Sequence, residues 1–179
     1  MDPSTYDERT TLKSGLPVRI RAIRPDDKAR ILEAFRNLEP ESIYTRFFTA
    51  KKTLTDEELR KLTEVDFKNV VGLVVTIGPE GDETIIGAAR YAAFDATEGR
   101  SAEVAFTVEE DYQGQGMASM LLRRLAAIAR EEGVVRFEAE VLAENRAMLA
   151  VFAHSGLSPQ QKYEGGNIHI TMPFSGGES

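Results

Sequence analysis

Three apolar, strand-like runs lie between residues 70 and 108, and only short clusters of turn residues separate them. The first two runs, residues 70–77 and 84–93, flank Gly78-Pro79-Glu80-Gly81-Asp82, and a second turn leads to the third run, residues 101–108. Turns this short join antiparallel strands, because parallel strands need a crossover of about a dozen residues or more. The sequence therefore predicts an antiparallel meander of three strands, on which the rest of the fold must build.

One strand and three helices are predicted before the meander. Residues 18–22 alternate between apolar and arginine side chains, which is typical of a strand with one buried face. The acidic residues 26–27 favour the start of a first helix, because carboxylates are stabilised at a helix N-terminus. Pro40 suits the first position of a second helix over residues 40–48, and Thr55 with Glu58 forms a capping box that begins a third.

A helix, a strand, a second helix and two short strands are predicted after the meander. The first helix follows a glycine loop and ends near Gly133, residues 134–141 form the strand, and Asn145 can cap the second helix. Two short strands fall within residues 157–174. This order predicts a mixed α/β (α+β) fold, with a largely antiparallel sheet of about seven strands flanked by helices.

The two ends of the chain carry no periodic pattern. Residues 1–12 are polar, and residues 175–179 form a Gly/Ser/Glu tail, so both segments are expected to be flexible termini. The remaining residues fall within the usual size of one domain. We therefore predict a single domain over residues 13–174.

The composition limits the partners that this chain can have. Its 29 acidic and 22 basic residues give a net charge of −7, which argues against nucleic acid and favours a cationic substrate. There is no cysteine, and the two histidines lack ligand spacing, so neither disulfides nor a metal site are expected. No apolar leader and no apolar run of membrane-span length occurs, which predicts a cytoplasmic protein that does not bind membranes. The oligomeric state is left open.

The glycine loop joins the end of a predicted strand to the start of a helix. It reads Gln113-Gly114-Gln115-Gly116-Met117-Ala118-Ser119. The free N–H groups and the positive dipole end of a helix bind phosphate readily. The loop lacks the Lys-Ser/Thr of a Walker motif and the acidic partner of a dinucleotide fingerprint. A plain surface turn and a phosphate site both remain open from these residues alone.

The loop resembles the signature Gln/Arg-x-x-Gly-x-Gly/Ala of the GNAT superfamily of acyl-CoA-dependent N-acyltransferases. Residues 113–118 match every fixed position, and the order of elements is similar to this family from about Pro17 to Phe174. More narrowly, residues 16–21, 40–48 and 102–106 resemble the catalytic domains of bacterial protein lysine acetyltransferases.

This resemblance implies that acetyl-CoA is the cosubstrate and that the sheet is splayed at its site. The pyrophosphate would be held by the backbone of seven loop residues: Gln113, Gly114, Gln115, Gly116, Met117, Ala118 and Ser119. The pantetheine would lie along Phe106, Thr107 and Val108 like an added strand, because its amides can pair with strand backbone. Asn145 matches a cofactor-contacting asparagine of the family, although it can equally be a simple helix cap.

The resemblance also implies a general base, because an ammonium group has no lone pair with which to attack a thioester. Glu103 matches a family position where a glutamate often serves, although a glutamate in an alternating strand is commonly a solvated or cross-strand partner. A backbone N–H near Val108 would stabilise the oxyanion. Many relatives protonate the thiolate with a tyrosine, and Phe152 occupies that position here.

The predicted function is therefore transfer of an acetyl group from acetyl-CoA to a primary amine, most simply a lysine side chain of a protein, with Glu103 as general base. Acetylation of a small-molecule amine is the alternative within the same enzyme class. A CoA-binding sensor that has lost catalysis is the alternative outside it, and Phe152 is the residue that favours it.

Overall fold

One open sheet of eight strands runs through the part of the chain that the computed structural model describes, residues 2–36, 54–108, 114–143 and 145–174. The strands are β1 Asp7–Thr11, β2 Pro17–Ala22, β3 Val70–Ile77, β4 Thr84–Ala96, β5 Gly99–Val108, β6 Arg136–Leu142, β7 Gln160–Glu164 and β8 Asn167–Pro173. Four α-helices are described: α1 Lys28–Arg36, α2 Asp56–Thr63, α3 Met117–Glu131 and α4 Arg146–Ala153. No helix among these residues is long and apolar enough to cross a membrane.

The strands are arranged in the order β1-β2-β3-β4-β5-β6-β8-β7. Neighbouring strands pair antiparallel throughout, except for β5 and β6, which are parallel. The predicted meander is confirmed as β3, β4 and β5, and β3 covers residues 70–77 as predicted. The mixed, largely antiparallel fold flanked by helices is likewise confirmed.

The eighth strand is β1, which the sequence analysis missed. Residues 1–12 were expected to be flexible, but Asp7–Thr11 pairs with β2 through five register positions, so that expectation is wrong for this strand. The strand lacks an apolar face and lies at the sheet edge, where backbone pairing with β2 and a salt bridge between Asp7 and Arg19 of 2.6 Å hold it. The predicted tail at residues 175–179 lies outside the described residues, and the domain boundaries stay a prediction.

The capping box before α2 is confirmed. The Thr55 hydroxyl accepts a hydrogen bond from the Glu58 backbone N–H at 3.1 Å, and the Glu58 carboxylate accepts one from the Thr55 N–H at 2.9 Å. This start directs Leu59 onto the sheet, where it packs with Ile23 and Ile31. The helix predicted over residues 40–48 lies outside the described residues.

The sheet has two unlike faces. Helices α3 and α4 cover one face with the larger apolar core, which includes Leu121, Leu125 and Phe137. Helices α1 and α2 cover β2 to β4 on the opposite face, around Val74 and Ile85. On that opposite face β5, β6 and β8 carry half-buried polar side chains, and the candidate site opens there.

Arg21 departs from the simple alternation predicted for β2. It was expected on the polar face, yet its side chain is 1% exposed and lies between two buried carboxylates. Its guanidinium donates to both oxygens of Asp27 at 2.7 and 2.8 Å and to Glu83 at 3.1 Å. The prediction that acidic residues 26–27 favour a helix start is confirmed in part. The Asp27 carboxylate accepts a hydrogen bond from the Arg24 N–H in the 3₁₀ turn before α1.

Candidate active site

A cleft forms where β5 and β6 separate. Their parallel ladder contains only three register pairs, from Ser101 with Arg136 to Glu103 with Glu138, after which the strands diverge. The cleft is narrow and open to solvent, and its lining residues are Val104, Ala105, Phe106, Ala139, Glu140, Val141, Asn145, Met148 and Phe152. Because residues from both sheet faces line it, the cleft connects the helix-covered face with the polar one. The splay that the resemblance implied is therefore present.

The glycine loop precedes α3, as predicted. Gly114 and Gly116 have φ angles of +80° and +82°, a backbone conformation that side chains with a Cβ rarely adopt. Gly116 is the N-cap residue of α3, and its carbonyl accepts the hydrogen bond from the Met120 N–H at 3.0 Å. The loop therefore directs backbone N–H groups of the first helical turn outward, and Gln113, the first predicted contact, lies outside the described residues.

The loop also contacts the turn between β1 and β2. The Lys13 N–H donates to the Gln115 carbonyl at 3.3 Å, and the Ser14 hydroxyl donates to the Gln115 side chain at 2.6 Å. The Lys13 side chain lies 3.0 Å from the place where a Cβ on Gly116 would be. The backbone angle therefore favours glycine at position 116, and a Cβ there would also press on the Lys13 side chain.

Met117 contributes its backbone rather than its side chain to this loop. The side chain is 2% exposed and packs against Gly87 of β4, where there is no room for a Cβ. Ala118 and Ser119 continue the first turn of α3 and are half-buried. Residues 114–119 of the predicted loop therefore lie together at one helix N-terminus.

Asn145 caps α4 and also lines the cleft. Its Oδ1 accepts from the Met148 N–H at 3.2 Å, which confirms the helix-cap interpretation. Its Nδ2 is buried, and it is one of two buried side-chain polar atoms in the described residues without a hydrogen-bond partner. A buried amide donor without a partner is costly, so this group fits a ligand that carries a hydrogen-bond acceptor.

The predicted pantetheine contacts lie on the β5 side of the cleft. Phe106 is 3% exposed, and its ring centroid lies 6.0 Å from that of Phe152. Phe152 is therefore a core residue, and no phenol occupies its position. Thr107 and Val108 follow at the end of β5, past the point where the ladder with β6 stops.

Glu103 lies at that same point, on the opposite face of the sheet. It is half-buried, as are Ala105 and Thr107, whereas Ala102, Val104 and Phe106 are buried, so the side chains of β5 alternate over residues 102–107, although Ser101 is also buried. Its register neighbours are Ala92 on β4 and Glu138 on β6. Glu103 therefore has a small neighbour on β4 and a second carboxylate on β6.

Two further carboxylates and a histidine line the polar face next to Glu103. The His169 Nδ1 lies 2.6 Å from Glu140, and its Nε2 lies 2.9 Å from Glu138. Burial lowers the pKa of His169, but hydrogen bonds and the negative charges of Glu140 and Glu138 outweigh it, so the pKa stands above its usual value. The spacing of the histidines along the chain does not indicate this arrangement, which depends on the pairing of β6 with β8.

Arg124 of α3 pairs with a carboxylate of the N-terminal hairpin. Its guanidinium donates to both oxygens of Glu8 at 2.9 and 2.7 Å, which joins α3 to β1. These hydrogen bonds lower the pKa of Glu8 and raise that of Arg124. The pair therefore holds the N-terminal hairpin against the helix that follows the glycine loop.

These features together fit a CoA thioester. The glycine loop offers N–H groups for phosphate, the splay admits a narrow chain, and Asn145 offers an amide donor inside it. On the polar face Glu140 lines the cleft, and Glu103 and Glu138 lie at the last register pair before it, so carboxylates that can receive a cationic amine stand close by.

Comparisons with known proteins agree with this geometry. The family model described as an acetyltransferase (GNAT) domain matches residues 18–158. The acetyltransferase PA5475 from Pseudomonas aeruginosa is 31% identical over 138 residues, which cover 77% of this chain and 73% of that protein. The acetyltransferase Pat from Mycolicibacterium smegmatis is 36% identical over 137 residues, 76% of this chain but only 40% of that protein.

Among solved structures, the GNAT domain of S. lividans PAT superposes with a TM-score of 0.83 at 34% identity. The match covers 94% of this chain and 97% of that domain. The family model alone spans well over half of the sequence. The chain therefore belongs to the GNAT family of acetyltransferases.

Proposed function

We propose that this acetyl-CoA-dependent N-acetyltransferase modifies lysine side chains of proteins, with Glu103 as its general base. The observation that carries the proposal is the cleft between β5 and β6, which opens onto a sheet face bearing Glu103, Glu138 and Glu140. The similarity to Pat and to the S. lividans PAT domain supports it. The absence of cysteine supports the cytoplasmic location that belongs to the same proposal.

The cosubstrate would be held mainly by backbone groups. The N–H groups of residues 114–119 and of Gln113 would bind the pyrophosphate, because the start of α3 presents unpaired donors and a positive dipole end. The backbone of Phe106, Thr107 and Val108 would pair with the pantetheine amides, and Asn145 would donate from its Nδ2. Acetyl-CoA supplies the activated carbonyl carbon that the acceptor amine attacks.

Glu103 would take the proton that the acceptor ammonium must lose, directly or through one water. A backbone N–H near Val108 would stabilise the negative charge that develops on the carbonyl oxygen. The leaving thiol has an ordinary pKa of about 8.5, so its thiolate is stable enough to depart without a protein acid. Phe152 in place of a tyrosine is therefore compatible with catalysis.

The glycine loop gives the first prediction. Gly116→Val should weaken acetyl-CoA affinity by at least about tenfold, roughly 1.4 kcal/mol, because a branched side chain is strained at a φ of +82° and would displace Lys13. Calorimetry with acetyl-CoA measures this, and circular dichroism verifies folding. Gly133→Val is the matched control, since Gly133 has a φ of +85° at the other end of α3 with open space around it. If both variants bind acetyl-CoA with equal affinity, the loop is not part of the cofactor site.

Acceptor choice gives the second prediction. At matched ionic strength, kcat/KM should be higher for a lysine of a native acceptor protein than for free lysine, spermidine or an aminoglycoside, because remote contacts add transition-state binding. Candidate acceptors come from mass spectrometry of a protein mixture treated with enzyme and acetyl-CoA. If a small amine is acetylated as efficiently as every protein tested, acetylation of a small-molecule amine replaces the protein-lysine proposal. No release of CoA thiol with any amine would instead favour a sensor.

A further inference from the structure

His169 of β8 bridges two carboxylates of β6. Its Nδ1 meets Glu140 at 2.6 Å and its Nε2 meets Glu138 at 2.9 Å. A neutral imidazole carries only one N–H, whereas an imidazolium carries two. Both contacts are therefore satisfied as hydrogen bonds to carboxylates only when the ring is protonated. Glu138, His169 and Glu140 then form a triad with a net charge of −1.

The two carboxylates of this triad occupy different places. Glu138 is the register partner of Glu103 at the last rung of the β5–β6 ladder. Glu140 lies one step further along β6, where the strands have separated, and it lines the cleft across from Ala105. Its side chain keeps 25% of its surface exposed. Glu140 is therefore the member of the triad that a molecule in the cleft meets.

The cleft carries a second, independent sign of a polar ligand. Asn145 is more than nine-tenths buried, lines the same cleft as Glu140, and has an Nδ2 without a hydrogen-bond partner. Asn145 stands on the helix-covered side, whereas Glu140 stands with Glu103 on the polar side. The cleft thus carries a polar group on each side, an amide donor from Asn145 and a carboxylate from Glu140.

We propose that Glu140 binds the ammonium group of the acceptor on the β6 wall of the cleft, and that His169 is the positioning residue that fixes Glu140 for this task. The inference rests on the proposed function and deepens it. An ammonium bound to Glu140 gains a charge-assisted hydrogen bond. Its proton can then pass to Glu103 on the neighbouring strand, so binding and deprotonation are divided between two carboxylates.

His169 controls this arrangement through its charge. From β6 it faces Glu138 and Glu140, with Arg136 3.9 Å from Glu138, and from β7 it faces Lys162 and Glu164. Loss of the ring proton leaves one ring nitrogen with its lone pair toward a carboxylate oxygen, which repels that side chain. As pH rises through the pKa of His169, Glu140 loses its fixed orientation and acceptor affinity should fall.

The test uses the complete chain saturated with CoA and titrated with n-butylammonium, a probe for the lysine side chain. Nitrogen NMR follows the two imidazoles, and His154→Gln identifies the His169 signals. We expect a saturable shift of His169 with n-butylammonium and none with n-butanol. Glu140→Gln should weaken this binding roughly tenfold, because a hydrogen bond between charged groups is lost.

Glu164→Gln is the matched control. It removes the same charge close to His169 and Glu140, but Glu164 does not line the cleft. Its n-butylammonium affinity should stay within about twofold of the parent chain, since exposed charges are largely screened. If Glu140→Gln binds the probe as well as the parent or the control does, the inference is overturned.

A pH series tests the positioning role. Between about pH 6 and 9 an alkylammonium stays protonated, so a fall in its affinity must come from a titrating group of the protein. The parent chain should show such a fall and His169→Gln should not, while acetyl-CoA affinity stays equal in both. The same pH profile in both would exclude His169 as the positioning residue. These measurements record binding and need no turnover. The proposed function is tested separately by release of CoA thiol, so the two can fail independently.

Discussion

Replacing Glu103 with glutamine is expected to lower kcat by about 10²- to 10⁴-fold near neutral pH, the usual contribution of general-base catalysis. The amide cannot accept the proton that the acceptor ammonium must lose. Acetyl-CoA affinity should change little, because Glu103 faces the polar side of the sheet, opposite Phe106 and Asn145. The deficit should narrow at high pH, where the amine loses its proton to solvent.

Steady-state release of CoA thiol, followed across pH with a reactive acceptor, measures this effect. Glu98→Gln is a suitable control, because it removes one carboxylate from the same β4–β5 hairpin, where Glu98 is exposed and paired with Arg136 at 2.8 Å. Glu98→Gln should keep nearly full turnover. If Glu103→Gln keeps more than about half of the parent turnover, another group removes the proton, since loss of a general base has a far larger effect.

The face on which Glu103 lies could be predicted from the sequence because β5 alternates cleanly. Residues 102–107 place small or polar side chains between apolar ones, and a period of two fixes which side chains share a face. The same local logic predicted the meander and the start of α2, where short turns and a capping box act within a few residues. Local signals therefore sufficed for the β5 wall of the cleft.

The β6 wall could not be predicted in the same way. His169 meets Glu138 and Glu140 because β8 pairs with β6 in one particular register, with Glu140 beside His169. Helix α4 and strand β7 separate the two strands in sequence, so no local pattern sets this register. Burial of Ile168 and Ile170 against the core fixes it instead, which is a tertiary effect.

The edge strand β1 escaped prediction for a related reason. Its sequence Asp-Glu-Arg-Thr-Thr has no apolar face, so it gives no hydrophobic periodicity. It is stabilised by backbone pairing with β2 and by two ion pairs, Asp7 with Arg19 and Glu8 with Arg124. Distant partners of this kind become visible only once the sheet order is known.

The buried pair of Arg21 and Asp27 gives the prediction with the largest expected effect on stability. Asp27→Ala should lower the free energy of unfolding by about 3 kcal/mol, because it leaves the Arg21 guanidinium, 1% exposed, without its two-point partner. It also removes the acceptor of the Arg24 N–H and of the Arg30 side chain. Because Glu83 remains 3.1 Å from Arg21, the loss in free energy of unfolding should lie at the lower end of the range for a broken buried ion pair.

The pH dependence of stability should change with the same substitution. Burial raises the pKa of Asp27, but hydrogen bonds and charge from Arg21, the Arg24 N–H and Arg30 outweigh it and hold the pKa below its usual value. A lowered pKa in the folded chain stabilises it above the unfolded pKa of about 3.9, and this contribution is lost as pH falls through the folded value. The parent chain should therefore lose stability in that acidic window, whereas Asp27→Ala should lose less there.

Urea unfolding followed by circular dichroism measures both effects, and Asp26→Ala is the matched control. Asp26 precedes Asp27 in the chain, but its side chain is 71% exposed and lies 3.6 Å from Arg30, a surface pair whose contribution is about 1 kcal/mol or less. Losses of similar size in the two variants would mean that Glu83 alone compensates the buried guanidinium. A loss confined to Asp27→Ala would instead show that the buried Asp27 carboxylate, with Arg21 as its two-point partner, stabilises the 3₁₀ turn that leads directly into α1.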